Sequence, residues 1–173
     1  NSIATFNHGV HPEGFKYLTD AKPIERIPFS EEYVLPLGQH IGAPSKPIVK
    51  KGQYVNRGQK IAEPGGFVSV TLHAPVSGTV KSVGELAETL TGKMVPCIRL
   101  ETDRFSTQQL VSEKPKPFDE MNLEEFIASV QNSGLVGLGG AAFPAHVKFK
   151  IPEGKTCKYL IVNGVECEPY LTS

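Results

Sequence analysis

Tryptophan is absent from this 173-residue chain, and net formal charge is zero because 18 Lys and Arg balance 18 Asp and Glu. Without an excess of either sign there is no bulk attraction to nucleic acid or to an anionic bilayer. The basic run Lys46, Lys50, Lys51 and Arg57 reads as solvated turns rather than as a polyanion site. Cysteine is scarce. Cys97, Cys157 and Cys167 are widely separated, odd in number and contain no CxxC pair. A disulfide framework wants an even count, and a zinc or iron–sulfur site wants clustered thiolates, so this stretch is expected to hold no metal. The usage fits a reducing cytoplasm. Apolar runs extend only a few residues, far short of the roughly 20 needed to span a bilayer. No charged segment followed by an apolar one opens the chain, so no signal peptide is expected.

What remains is ordinary globular composition, 39% hydrophobic and 21% charged, at a size that suits one large or two small domains. Three stretches differ in character. Up to about Glu101 the pattern is β and turn. Val34, Leu35 and Leu37 form a short apolar strand broken by Pro36, and then Val49, Gly52, Val55, Gly58 and Ile61 alternate apolar and glycine at every third position. A helix does not tolerate that spacing, because each interior glycine costs about 1 kcal/mol relative to alanine. Short strands joined by glycine turns do. In Phe67–Ala74, Val68, Val70 and Leu72 fall on one face and Ser69, Thr71 and His73 on the other, which predicts a half-buried strand. A second short strand is predicted over residues 79–83.

Lys114-Pro-Lys-Pro117 denies helix and ladder alike and marks a linker at 114–118. Beyond it Leu123, Phe126, Ile127 and Val130 follow helical spacing, with Asn122 as N-cap, Glu125 placed to close a capping box and Gly134 as the residue after the helix. A glycine-rich loop runs from Gly134 to Phe143, and Tyr159-Leu-Ile-Val162 predicts a buried strand. Helix, glycine loop and strand in that order indicate an α/β nucleotide-binding arrangement.

The chemistry concentrates from Gly134 onward. Gly137, Gly139 and Gly140 leave backbone amides uncovered by side chains, so an anionic phosphate can approach them, and Lys148 follows within reach of the same anion. Asn163-Gly-Val-Glu166-Cys-Glu168 follows the last predicted strand, at the end of an α/β sheet where ligands bind. His8 and His11 lie three apart with no third ligand nearby, which favours a surface or packed pair over a metal site. His40, between Gly38 and Gly42, reads as a core histidine with both ring nitrogens satisfied.

Two resemblances follow from these motifs. The spaced Val49–Ile61 pattern with His73-Ala-Pro-Val-Ser-Gly-Thr-Val80 resembles the biotinyl/lipoyl barrel-sandwich family. Carrier members bear their arm on a hairpin lysine, but here that position falls at about Phe67 and no lysine occurs between Lys60 and Lys81. With no amine to acylate, the module is expected to be a packing element. Gly137-Leu-Gly-Gly-Ala-Ala-Phe-Pro-Ala-His-Val-Lys148 and Asn163-Gly-Val-Glu-Cys-Glu-Pro resemble the flavin- and NADH-binding core shared by the RnfC family of ion-translocating oxidoreductases and the complex I flavoprotein. That likeness implies FMN contacts for Gly137, Gly139, Gly140, Lys148, Asn163 and Glu166, and nicotinamide contacts for Phe143 and Glu168. It implies no acid–base or nucleophilic residue. The chain departs from the complex I pattern at Leu138 (arginine there), Ala142 (glycine) and Val165 (aspartate).

The front half separates the relatives. Gly9-Val-His-Pro12, Pro36-Leu-Gly-Gln-His-Ile-Gly-Ala-Pro44 and the sandwich extend the likeness to the RnfC family over nearly the whole chain. The implied organisation is a mixed fold. An all-β barrel-sandwich hybrid occupies residues 1–113 (core about 30–102), then the linker at 114–118, then the start of an α/β FMN/NADH-binding domain at 119–173. The implied function is that of an NADH-linked flavin oxidoreductase subunit at the cytoplasmic face of a bacterial inner membrane. It would pass electrons between NADH and ferredoxin or iron–sulfur carriers alongside other Rnf-type membrane subunits. The 4Fe-4S cluster ligands of that family are not in this stretch, so the chain is expected to be a fragment that binds FMN weakly or not at all by itself. The alternatives are a non-catalytic docking module of a membrane redox complex and a cobalamin reductase-type flavoprotein.

Overall fold

A computed structural model describes residues 12–88, 92–112, 114, 116–138, 140–162 and 168–170. The chain forms two compact units, one over Pro28–Thr156 and the other combining Asn1–Ile27 with Cys157–Ser173.

The larger unit contains the β module. Strands β1 (Glu32–Pro36), β7 (Met94–Thr102), β6 (Gly78–Glu88) and β3 (Tyr54–Val55) lie side by side in that order, and β2 (Lys46–Pro47), β4 (Lys60–Glu63) and β5 (Leu72–His73) form a second sheet. Every pairing is antiparallel. The three-residue repeat does what its spacing predicts. Val49, Val55 and Ile61 are buried with Leu37, Ala62, Ala74, Val80, Ile98 and Leu100 in one core between the sheets. Gly52 and Gly58 make the intervening turns with φ of 82° and 87°. Full burial of each large aliphatic side chain contributes about 1.5–3 kcal/mol, so this cluster holds the sandwich. His40 behaves as expected: Nδ1 donates to the Ile41 carbonyl at 3.1 Å and Nε2 accepts from the Val70 amide at 3.4 Å.

Two strand expectations are corrected. The predicted strand over residues 79–83 is part of the longer β6, which pairs through Glu88 with a β7 that periodicity alone had not singled out. The segment Phe67–Ala74 is not a half-buried strand with a polar face to solvent. Only Leu72–His73 is strand, and Ser69 and Thr71 are as buried as Val70. The polar face is covered by the end of helix α1 (Leu123–Asn132). The Gln131 carbonyl accepts from the Thr71 amide at 3.3 Å, and the Gln131 side-chain amide donates to the Gly66, Phe67 and Ser69 carbonyls at 3.0–3.2 Å.

Helix α1 itself forms as its sequence dictates. The Asn122 side chain accepts from the Glu125 amide and the Glu125 carboxylate accepts from the Asn122 amide, each at 2.9 Å, completing the capping box. The Asn122 amide and Lys116, which also bonds this carboxylate, hold the Glu125 carboxyl below the usual glutamate range. Phe126 packs edge-on against Phe149 of the short helix α2 (Ala145–Phe149) with centroids 5.1 Å apart. No residue of α1 is fully buried, and Leu123 stays exposed.

In the smaller unit a single helical turn, Lys16–Leu18, is tied to the Glu168–Tyr170 segment. The Phe15 and Tyr170 rings stack at 4.9 Å, and the Tyr170 amide donates to the Gly14 carbonyl at 2.7 Å. The buried strand expected at Tyr159–Val162 is not formed. Those residues have no regular structure and are 74–88% exposed. A strand needs a neighbour to take its backbone hydrogen bonds, and none of the described residues pairs with this segment. No helix among the described residues is long and apolar enough to cross a membrane.

Candidate functional site

The glycine loop grows directly out of the end of α1. Gly134 ends the helix with φ +78°, and a Cβ there would lie 2.7 Å from the Thr71 carbonyl oxygen. Glycine is therefore needed twice at this residue, for a left-handed backbone and for close approach to the sandwich. The chain then runs outward, turns, and returns so that Val136 and Pro144 form an antiparallel bridge. The Gly137 amide donates to the Phe143 carbonyl and the Ala145 amide to the Leu135 carbonyl, both at 3.0 Å. The base of the loop is thus a closed clasp.

This closure changes the part Gly137 can take. Its amide is committed to the clasp, because backbone donors at a bridge are satisfied locally. What it offers instead is the missing side chain. A Cβ on Gly137 would come within 3.6 Å of Lys148 Nζ, so the ammonium of α2 lies directly over the loop. Gly140, at the tip, has nothing within 4 Å of where a Cβ would be, and its surroundings are open. Among the described residues the amides of Leu138 and Gly140 donate to no protein acceptor, and Lys148 has no carboxylate partner. Phe143 is half-buried beside the clasp. Ala142 takes φ +50°, a left-handed conformation that its Cβ disfavours.

Of the other residues singled out from sequence, Gly139, Asn163 and Glu166 lie outside the described residues, as do His8 and His11. Glu168 belongs to the smaller unit, where its backbone carbonyl accepts from Lys16 Nζ at 3.4 Å and its side chain is exposed. No group of three or more His, Cys, Asp or Glu among the described residues is placed to hold a metal ion.

Three site neighbours escaped sequence reasoning. His146 is fully buried, its Nε2 sits 2.6 Å from the Phe67 carbonyl oxygen, and its ring meets the Phe67 ring edge-on at 5.2 Å. Lys150 places Nζ 4.6 Å from the centre of the same ring. Gln131 supplies the side-chain amide already described. Nothing in their spacing distinguishes them from exposed residues of two short helices.

Comparison with known proteins matches two stretches of the chain. Residues 4–105 match the family model described as the RnfC barrel sandwich hybrid domain. The chain belongs to that family. Residues 130–173, which contain the glycine loop, Lys148 and Glu168, match the Nuo51 FMN-binding domain. The mixed fold expected from sequence, a sandwich followed by a flavoprotein-like region, is therefore borne out. The chain is 42% identical over 98% of its length to the C-subunit of the Na(+)-translocating ferredoxin:NAD(+) oxidoreductase complex of Acetobacterium woodii, covering 38% of that protein. It is 38% identical over 99% of its length to the proton-translocating counterpart of Clostridium ljungdahlii, covering 37% of it. With the C-subunit of the ion-translocating oxidoreductase complex of Rhodobacter capsulatus the figures are 41%, 99% and 35%. The chain thus spans little more than a third of these relatives. For an RnfC-type sandwich, Phe67 at the hairpin tip makes structural sense: the ring is an anchor for His146 and Lys150.

Proposed function

We propose that the complete protein carrying this chain is an electron-transfer subunit of a membrane-associated, ion-translocating oxidoreductase. It passes electrons between NADH and ferredoxin or iron–sulfur carriers through FMN. The observation that carries this reading is Lys148 Nζ poised over the side-chain-free Gly137, beside a loop tip whose amides have no protein acceptor among the described residues. An unpaired ammonium above open glycine backbone suits an anionic phosphate, and its hydrogen bond to that anion is of the charge-assisted kind. The described residues fit the phosphate end of FMN, and the match to an FMN-binding domain over 130–173 supports the same ligand. Bound FMN would supply the chemistry by accepting a hydride from NADH and releasing electrons singly.

The chain's own residues bind and orient. Gly137 and Gly140 leave room for close approach, with Gly139 between them, and Lys148 neutralises phosphate charge. Phe143 lies at the edge of the loop, where a ring can pack against a nicotinamide. Asn163 and Glu166 are assigned to the flavin, and Glu168 to the nicotinamide nucleotide, on resemblance alone. The two modules divide at 114–118. Partner subunits of an Rnf-type complex are part of this reading, supported by relatives that are C-subunits of ferredoxin:NAD(+) oxidoreductase complexes. The 4Fe-4S clusters and a position on the cytoplasmic face of the inner membrane are assigned on resemblance alone.

Titration of the complete gene product with FMN, followed by flavin fluorescence, tests it. A charged hydrogen bond contributes about 1.5–3 kcal/mol, so Lys148→Met should weaken FMN binding about ten- to a hundredfold. Failure of the parent protein to bind FMN, or equal binding by Lys148→Met, overturns the reading.

A further inference from the structure

The sandwich hairpin does more than close a sheet. Its loop is pinned from beneath: a Cβ on Gly65 would lie 2.0 Å from the Pro44 carbonyl oxygen, the Gly65 amide donates to Ser69 Oγ at 2.9 Å, and the Ala43 amide donates to the Val68 carbonyl at 2.9 Å. Ser45 Oγ reaches the Val70 carbonyl at 2.8 Å, beside His40. A loop held by so many short contacts is a rigid seat.

On this seat rest both elements that carry the glycine loop. The end of α1 is bound through Gln131 and through Gly134, which tolerates no side chain there. Helix α2 is bound through His146. A carbonyl only accepts, so the 2.6 Å contact to Phe67 fixes the proton on His146 Nε2, leaving Nδ1 as a buried acceptor with no partner. A buried polar atom without a partner costs about 1–3 kcal/mol. An apolar residue of similar size would avoid that cost but would forfeit the bond to the Phe67 carbonyl. Two residues on, Lys148 projects from the same short helix over Gly137.

We propose that His146 is a positioning residue for the phosphate-binding lysine: by clamping α2 to the Phe67 carbonyl it holds Lys148 over the glycine loop. The proposal rests on the FMN reading above. The sandwich hairpin then serves as the fixed anvil of the flavin site, and Phe67 and Lys150 close over the same joint.

The test uses the complete gene product. His146→Phe keeps the ring volume and removes the donor, whereas His146→Gln places an amide N–H where Nε2 stood. His146→Phe should weaken FMN about tenfold, and His146→Gln should bind within about threefold of the parent. If His146 acts through Lys148, then His146→Phe added to Lys148→Met should cause no further loss; a purely structural role would give additive losses. In the apo-protein, amide hydrogen exchange over residues 137–143 should accelerate about tenfold in His146→Phe and return towards the parent rate in His146→Gln. Additive losses in FMN affinity, or unchanged loop exchange in a folded His146→Phe protein, overturn the proposal. Should the parent fail to bind FMN, the flavin reading falls, and the exchange measurement still decides whether His146 holds the loop.

Discussion

Replacing Gly134 with alanine is the sharpest test of how the glycine loop is joined to the sandwich. Two penalties add. The residue has φ +78°, where a Cβ costs about 1–2 kcal/mol. The same Cβ would sit 2.7 Å from the Thr71 carbonyl oxygen, a backbone atom that cannot swing away. Relief requires the end of α1 to lift, which strains the Gln131 bonds to Gly66, Phe67 and Ser69. Loss of one net hydrogen bond adds about 1 kcal/mol. The expected sum is a loss of about 2–3 kcal/mol, by the left-handed and hydrogen-bond terms together. Urea unfolding followed by circular dichroism reads the loss, and amide exchange should localise it to residues 126–137. Gly140→Ala is the matched control. Nothing lies within 4 Å of its Cβ position and its φ is not in the left-handed range, so its stability should stay within about 0.5 kcal/mol of the parent or rise slightly. Equal midpoints for the Gly134 and Gly140 variants would refute the close-packed junction.

Two further outcomes follow from single residues. Ala142 sits at φ +50°, so Ala142→Gly should stabilise the closed loop by up to about 1 kcal/mol, the left-handed penalty less glycine's greater unfolded-state freedom; a lower urea midpoint than the parent would contradict the assigned backbone. The Glu125 carboxyl is held below the usual range by the Asn122 amide and by Lys116. A depressed folded-state pKa gives stability that is present above the unfolded value and lost as pH falls through the folded one, so the start of α1 should loosen below the ordinary glutamate range. Carbon-detected NMR titration of Glu125 reads this directly, and an ordinary midpoint there would remove the capping argument.

The sandwich was legible because its signals are local. Glycine alternating with an apolar residue at every third position places turns at Gly52 and Gly58, and the apolar residues flanking them have nowhere to go but inward, which is where Val49, Val55 and Ile61 lie. The capping box of α1 was legible for the same reason, since Asn122 and Glu125 satisfy one another within a single turn. Alternation failed at Phe67–Ala74 because burial there is decided by a distant partner. Ser69 and Thr71 look like a solvent face until Gln131, about sixty residues away, covers them. The strand expected at Tyr159–Val162 failed for the converse reason, as four apolar residues specify burial only when a neighbour accepts them.

The site shows the same split between local and distant causes. Glycines and a lysine announce themselves by type, so Gly137 and Lys148 were singled out by residue identity, whereas only the fold brings Lys148 Nζ to within 3.6 Å of where a Cβ on Gly137 would lie. His146 was not found, because a histidine two residues before a lysine carries no periodicity, and its meaning depends on one carbonyl contributed by a hairpin 79 residues earlier. Residues that touch a ligand are thus constrained in chemical type, which sequence displays. Residues that hold them in place are constrained in geometry, which it does not. The flavin site proposed above should therefore tolerate exchange of surface charge around Lys150 more readily than loss of the single imidazole donor of His146.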